Sequence, residues 1–258
     1  AASDISNTYM RLISPVGQQV FTTASFVDHD TLTLSLTGTY TLLLEGYHAN
    51  TGTDTYTINV RPVTDETFTI TPAQIAAGTI LSDALDEIGE QDRYQFTLAA
   101  ETQLYFDALT PSSSIAWFLS GPQGLLVGFG GLLINTTGRT FNSSDAGTYG
   151  VLVLQAGDYT LTVDNVASSS ETVLQTTGSY AFRLLDLATA PPLTPGTAVG
   201  AGSPLTLAGT LFPPGDGAGT PTTFSTATHM YKFTATAGEK VFVDIVSASD
   251  ASNSYRRF

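Results

Sequence analysis

The sequence has no cysteine and few basic residues. The absence of cysteine excludes disulfide frameworks, thiolate zinc sites and cysteine nucleophiles. The chain has two lysines and seven arginines but 23 acidic residues, which gives a formal net charge of −14. So few cationic residues exclude a basic groove for nucleic acid. The longest run without a polar side chain, residues 124–134, is much shorter than the ~20 residues that span a bilayer, so we expect no membrane insertion.

Apolar residues nevertheless make up 42% of the 258 residues, which is enough for a hydrophobic core. Only 12% of the residues are charged, against about 25% in ordinary soluble domains. A cysteine-free chain rich in threonine, serine and glycine favours a bacterial exported protein that avoids thiol chemistry. We therefore expect an extracellular or cell-surface location.

Several runs alternate apolar and polar residues with the period of a β-strand. The opposite faces of these runs are mainly Thr, Asn, Gln and Arg, which is typical of an antiparallel sheet with one wet face. A helical period appears only weakly, in residues 72–77 and 83–88. The pattern predicts an all-β protein, with strands at Tyr56-Ile58-Val60, Tyr94-Phe96-Leu98, Tyr159-Leu161-Val163, Tyr180-Phe182-Leu184 and Tyr231-Phe233.

Internal repeats carry most of the information on domain organisation. Residues 2–12 return as residues 248–258, with seven of eleven positions identical at an offset of 246. Shorter repeats lie within this period. They match residues 94–97 with 231–234, 12–17 with 119–124, 38–42 with 157–161, and 53–58 with 177–182.

These matches define a unit of roughly 110–135 residues that is repeated along the chain. We predict the C-terminal part of a first β-sandwich in residues 1–63, a complete β-sandwich in 68–187, a Pro/Gly/Thr-rich linker in 188–208 and the N-terminal part of a further sandwich in 209–258. The last part joined to the first would make one more complete unit. Either the chain is a section of a longer array, which the eleven-residue overlap favours, or each subunit completes its neighbour by donating strands.

The order of motifs within the repeat resembles the bacterial pre-peptidase C-terminal domain, and the resemblance extends over nearly the whole chain. It is carried by Gly78-Thr79-Ile80, Tyr94-Phe96-Thr97, Phe106-Asp107, Pro122-Gly124, Gly157-Tyr159-Leu161 and Tyr180-Phe182. The resemblance implies tandem jelly-roll-like antiparallel β-sandwiches, as found in secreted proteins and large surface repeat proteins, with no catalytic residues. Members often carry acidic residues just before the Tyr-x-Phe strand, where this chain has Asp92 in the second copy and none in the third.

No set of residues points to an enzyme. The three histidines, His29, His48 and His229, fall at unrelated positions of the repeat, and no metalloprotease, nucleophile-elbow or phosphate-binding motif is present. We expect a protein without catalytic residues and without an organic cofactor.

Calcium is the one cofactor that the sequence favours, because oxygen-rich loops suit a hard cation with 6–8 oxygen ligands. Asx turns between strands are the alternative explanation for the same residues. Oxygen-rich stretches at 83–92 and 142–145 are further candidates. The predicted metal-ligating residues are Asp4, Asn7, Asp28, Asp30, Asp250 and Asn253.

Glycine lies two residues before each of Tyr40, Tyr159 and Tyr180. Such a tyrosine either ties its hydroxyl group to the backbone at a strand corner or is a half-buried aromatic with its hydroxyl at the rim.

Two classes of function remain. The first is a structural or adhesive repeat of a surface protein or fibre, whose partners are neighbouring units or subunits that pack end to end or complement strands. The second is a non-catalytic binding module of a secreted hydrolase, with a polysaccharide or matrix protein as ligand. This second function needs an exposed aromatic platform, for which Trp117, Tyr9 and Tyr255 are the candidates, although their repeat position favours the core.

Overall fold

The computed structural model describes residues 8–23, 29, 31–46, 55–127, 139–141, 151–165, 177–196 and 228–243. The all-β prediction is confirmed, because nearly all regular structure in these residues is strand. The one α-helix, α1, spans Pro72–Ala77, and a short 3-10 turn spans Leu187–Thr189. The strands are β1 Thr8–Ile13, β2 Gln19–Thr23, β3 Thr41–Gly46, β4 Glu66–Thr69, β5 Leu81–Leu85, β6 Asp92–Leu98, β7 Thr102–Ala108, β8 Ile115–Gly121, β9 Gly124–Val127, β10 Arg139–Thr140, β11 Val151–Leu154, β12 Gly157–Asn165 and β13 Gly178–Asp186.

Strands β4 to β13 form a central unit of two sheets. One sheet has the order β10-β8-β12-β6-β4, with β9 added to β8, and the other has the order β11-β7-β13-β5. All pairs are antiparallel except β4 with β6, which run parallel and place Glu66 opposite Asp92. This parallel pair departs from the antiparallel prediction.

The core of the central unit lies between the two sheets. Phe106 of β7 stacks on Trp117 of β8 with ring centroids 4.1 Å apart, and on Phe182 of β13 at 5.1 Å. All three rings are almost fully buried, so this aromatic column joins the two sheets. The alternation predicted for β6 is confirmed, since Tyr94, Phe96 and Leu98 are buried while the residues between them are exposed.

The N-terminal segment, here the described residues between 8 and 63, reproduces part of the central unit. Its sheet has the order β2-β1-β3, the counterpart of β9-β8-β12. Leu12 lies opposite Leu42 as Leu119 lies opposite Leu161, so the register is also the same. The sequence repeat is therefore a repeat of structure in this segment.

The two weak helical periods have different outcomes. Helix α1 forms where Thr71 and Gln74 cap each other reciprocally and Pro72 occupies the first turn. Residues 83–88 form no helix, because residues 81–85 form β5, which pairs with β13. None of the helical segments described is long and apolar enough to cross a membrane.

Two predicted strands do not form. Residues around Tyr56, Ile58 and Val60 lie outside any strand, and Lys232, between Tyr231 and Phe233, makes only an isolated bridge. Their counterparts β13 and β6 are each flanked by a strand on both sides in the central unit. A strand needs such a neighbour, and the described residues supply neither segment with a full set.

Glycine is required where β12 begins, because Gly157 has a φ of 149° and a Cβ atom there would overlap Cγ of Pro122. We expect Gly157→Ala to lower the free energy of unfolding by about 2–4 kcal/mol, through backbone strain and displacement of the proline. Gly124→Ala is the matched control. Its φ is 88°, but nothing lies within 4 Å of the added atom, so the cost is about 1 kcal/mol.

Urea unfolding of both variants measures the difference. Equal losses of unfolding free energy for the two variants would show that contact with Pro122 does not contribute to the requirement for glycine at residue 157. The same contact recurs in the N-terminal segment, where a Cβ atom at Gly38 would lie 2.7 Å from Pro15.

Candidate functional site

The six residues predicted as metal ligands lie outside the described residues. The metal site therefore remains a prediction from the sequence at Asp4, Asn7, Asp28, Asp30, Asp250 and Asn253. Part of the further candidate stretch 83–92 does come together in the structure, and it forms a cluster of carboxylates at one end of the central unit.

The cluster consists of Glu66, Glu90 and Asp92, with one carboxylate oxygen of each within 4.8 Å of the others. The parallel pairing of β4 with β6 brings Glu66 opposite Asp92. Glu90 is held by a local turn, in which its Oε2 accepts hydrogen bonds from the backbone N–H groups of Asp86 (2.6 Å) and Glu87 (2.8 Å). Glu66 is exposed, whereas the other two are buried.

Asp92 is the innermost of these residues, with no exposed surface. Its Oδ2 accepts a hydrogen bond from the hydroxyl group of Tyr180, which in turn lies 2.8 Å from the hydroxyl oxygen of Tyr94. Its Oδ1 has no hydrogen-bond partner among the residues that the structure describes. A buried carboxylate oxygen without a donor is costly, so this atom calls for a ligand or a proton.

Burial is the main cause of the raised pKa values of Asp92, Glu90 and the nearby Asp83. Burial, together with the charges of Glu90, Asp83 and Glu66, raises the pKa of Asp92 from 3.8 to about 7. Burial likewise raises the pKa of Asp83 from 3.8 to about 6 and raises the pKa of Glu90. At neutral pH these closely spaced carboxyl groups are therefore only partly ionised, and those that are ionised concentrate negative charge in a small volume.

These residues fit a calcium ion. Calcium takes carboxylate and carbonyl oxygens, and three carboxylates, one with a free buried oxygen, would supply the protein part of such a site. Among the residues described, the ion pairs join Arg11 to Glu45, Arg93 to Asp65 and Arg183 to Asp107, so no arginine neutralises the cluster. Glu66, Glu90 and Asp92 would hold the ion.

A second polar site lies on β13. The guanidinium group of Arg183 donates through Nε to Oδ2 of Asp107 at 2.7 Å, with the two side chains 8% and 0% exposed. Residue Thr228 completes the arrangement through its backbone. Its N–H lies 3.2 and 3.1 Å from the two oxygens of Asp107, and its carbonyl oxygen accepts from the second terminal nitrogen of Arg183 at 2.6 Å.

The C-terminal segment, here residues 228–243, has another backbone contact with the residues that follow β13. Leu193 N–H donates to the carbonyl oxygen of Lys232 at 2.6 Å, and Lys232 N–H donates to that of Pro191 at 3.0 Å. Lys232 Nζ donates to the carbonyl oxygen of Ala188 at 2.6 Å. The beginning of the predicted linker 188–208 is thus hydrogen-bonded to the segment beyond it, while residues 197–208 lie outside the described residues.

Arg183 is the clearest correction to the sequence analysis. The alternation of β13 placed it on a wet face, but residues 180–185 are buried throughout. Helix α1 contacts β13, where a Cβ atom at Gly78 would meet Leu185 at 2.9 Å, and Thr228 covers Arg183. The covering elements are distant in sequence, so the period of β13 alone could not reveal them.

The tyrosines after the glycine motif divide into two kinds. Tyr159 donates its hydroxyl to the carbonyl oxygen of Gln155 at 2.8 Å, and Tyr40 donates to that of Leu36 at 2.9 Å, so the corner prediction is confirmed for both. It is wrong for Tyr180, whose hydroxyl donates to Asp92 instead.

Of the three candidates for an exposed aromatic platform, the structure describes Trp117 and Tyr9. Trp117 is 1% exposed and stacks on Phe106 within the core. Tyr9 on β1 is partly buried, and Tyr255 lies outside the described residues.

A scan against protein-family models finds no match, and a search of curated proteins finds none. Among solved structures, the chain is similar to the pre-peptidase C-terminal domain of collagenase from Bacillus anthracis, with 15% identity and a TM-score of 0.29 over 49% of this chain and 99% of that one. It is also similar to PliG, a periplasmic inhibitor of g-type lysozyme, from Salmonella Typhimurium (13% identity, TM-score 0.31, 47% and 98% covered) and from Aeromonas hydrophila (12%, 0.28, 47% and 97%). Each of these matches covers about half of this chain.

Proposed function

We propose that the protein is a structural repeat of a secreted bacterial surface protein or extracellular fibre, in which β-sandwich units are joined end to end. The observation that carries the proposal is the contact of Asp107 and Arg183 with Thr228. A buried ion pair of one unit is completed by the backbone that leads into the next. A flexible tether would not need such a contact, whereas an array that must keep its shape does.

The hydrogen bonds after β13 support the same proposal. Ile70 N–H donates to the carbonyl oxygen of Gln95 at 2.8 Å in the central unit, as Leu193 N–H donates to that of Lys232. Ile70-Thr71-Pro72 and Leu193-Thr194-Pro195 are also similar in sequence. Both likenesses support a next unit that begins soon after β13.

The rigidity of the joint can be tested with two variants of Thr228. Thr228→Pro removes the N–H that donates to Asp107, while Thr228→Ala keeps it and is the matched control. The chain lacks cysteine, so spin labels can be placed at Gln103→Cys and Lys240→Cys, both exposed. We expect one narrow distance distribution for the unsubstituted chain and for Thr228→Ala, and a broad one for Thr228→Pro. A broad distribution in all three would refute a fixed joint.

Calcium at Glu66, Glu90 and Asp92 belongs to this proposal as a stabiliser of the central unit. The ion would supply positive charge between carboxylates that otherwise repel one another. The unpartnered Oδ1 of Asp92 supports this assignment.

A further inference from the structure

The turn between β5 and β6, residues 86–90, holds one member of the carboxylate cluster. Its last residue, Glu90, places a carboxylate oxygen within 4.8 Å of those of Glu66 and Asp92. Oε2 of Glu90 accepts hydrogen bonds from two backbone N–H groups of the same turn, at 2.6 and 2.8 Å. The position of this side chain and the shape of the turn therefore depend on each other.

The same turn contacts the N-terminal segment. The hydroxyl group of Thr31 donates to the carbonyl oxygen of Gly89 at 2.5 Å, and a Cβ atom at residue 89 would overlap that hydroxyl and lie 3.9 Å from Cγ2 of Val63. The chain that leads into β4 joins the turn as well, because Thr64 N–H donates to Oε2 of Glu87 at 3.3 Å. The turn is thus a surface on which the N-terminal segment meets the central unit, here called the joint at Gly89.

We infer that calcium binding at the carboxylate cluster is coupled to docking of the N-terminal segment on the turn 86–90, so that the ion fixes the joint at Gly89. The inference rests on the calcium site of the proposed function and adds its regulation. An ion held by the three carboxylates ties the turn to β4 and β6. The carbonyl group of Gly89 is then held in one place, where Thr31 meets a preformed acceptor. Such coupling is reciprocal, so the docked segment raises the affinity for calcium by the same factor.

The joint at Thr228 has a different construction. The repeat offsets are 193 − 70 = 123 around β4 and 231 − 94 = 137 around β6. The counterparts that these offsets give for the three cluster residues carry no carboxylate. They are Thr189, Ala227 and His229. The carboxylate at this joint belongs to Asp107, and its cation is Arg183 of the same unit. We therefore expect calcium to act on the joint at Gly89 and not on the joint at Thr228.

Two pairs of spin labels on the full chain compare the joints directly. Gln18→Cys with Gln103→Cys spans the joint at Gly89, and Gln103→Cys with Lys240→Cys spans the joint at Thr228, with all three positions exposed. For the first pair we expect a narrow distance distribution in calcium and a broad one in chelator. The second pair is the control, and its distribution should be the same in both conditions.

A calcium titration of the full chain by calorimetry tests the reciprocal effect. Thr31→Val removes the hydroxyl group that donates to Gly89 and leaves the three carboxylates in place. We expect the dissociation constant for calcium to rise roughly three- to tenfold, because one hydrogen bond of the docked segment is lost. Thr102→Val is the matched control. Its hydroxyl group donates to the carbonyl oxygen of Ala100 at 3.0 Å within the central unit, so its loss should leave the dissociation constant unchanged.

Each contrary result has a definite meaning. If calcium raises the Tm but leaves the first label pair as it is in chelator, the inference is overturned and the calcium site stands. A dissociation constant for Thr31→Val equal to that of the unsubstituted chain, or an equal response of both label pairs to calcium, would also overturn it. If calcium changes no Tm, the calcium site and the inference fail together, and the second label pair alone decides whether the units are joined rigidly.

Discussion

Arg183→Met is expected to lower the free energy of unfolding of the central unit by about 3–5 kcal/mol, because it leaves the carboxylate of Asp107 buried without its cation. The pair is well suited to show this effect, since Asp107 is 0% and Arg183 8% exposed and their atoms are 2.7 Å apart. Guanidinium chloride unfolding followed by tryptophan fluorescence measures it, because Trp117 lies in the same core.

Arg93→Met is the matched control for this prediction. Arg93 pairs with Asp65 at 2.6 Å, a similar distance, but the two side chains are 36% and 27% exposed. Solvent screens such a pair, so we expect a loss of about 0–1 kcal/mol. Equal losses for the two variants would contradict the claim that burial decides the effect.

The double variant Asp107→Leu with Arg183→Met tests the stability of the central unit separately from the rigidity of the joint at Thr228. Replacing both charges with apolar side chains is expected to restore much of the lost stability of the central unit. It should not restore the narrow spin-label distribution, because leucine cannot accept the N–H of Thr228. A double variant that recovers both properties would contradict the role of the pair in the joint.

Without calcium, the central unit is expected to lose on the order of 3 kcal/mol of stability as the pH rises from about 4 to about 8. The pKa of Asp92 is about 7 and that of Asp83 about 6 in the folded protein, both above the 3.8 of the free side chain. The folded state thus binds more protons than the unfolded state in this window, and its stability falls as those protons leave.

Calcium should reverse this loss at pH 8, with a rise in Tm of roughly 5–10 °C at saturating concentration. Asp92→Asn is expected to remove the calcium response, because an amide presents N–H donors to Glu66 and Glu90, and to leave only the part of the pH dependence that comes from Asp83. Asp158→Asn, on the exposed carboxylate that accepts from Thr97, should change neither. Thermal melts with calcium and with chelator decide the point. An unchanged Tm would refute the metal site and leave the structural repeat intact.

The core could be predicted from the sequence, because the alternation of Tyr94, Phe96 and Leu98 is enough to assign the buried face of β6. The repeats likewise predicted which segments would resemble each other, down to the paired tyrosines Tyr40 and Tyr159. Both signals are local or are carried by direct sequence similarity.

The polar sites depend on pairings that no single stretch of sequence reveals. Glu66 joins Asp92 only because β4 runs parallel to β6, and Arg183 is buried only because α1 and Thr228 cover it. The weak helical period at 83–88 produces no helix for the same reason, since pairing with β13 outweighs that period in β5. Pairing between residues that are distant in sequence therefore determines where these polar sites form, and the period of a single strand does not reveal it.

The contact at Thr228 uses the main chain of that residue and not its side chain. Every amino acid other than proline offers the same amide and carbonyl groups. Successive modules could thus diverge in composition, or be exchanged by recombination, without redesign of the coupling between them. Selection would then act on the aspartate and arginine of the upstream module and leave the downstream position free to drift.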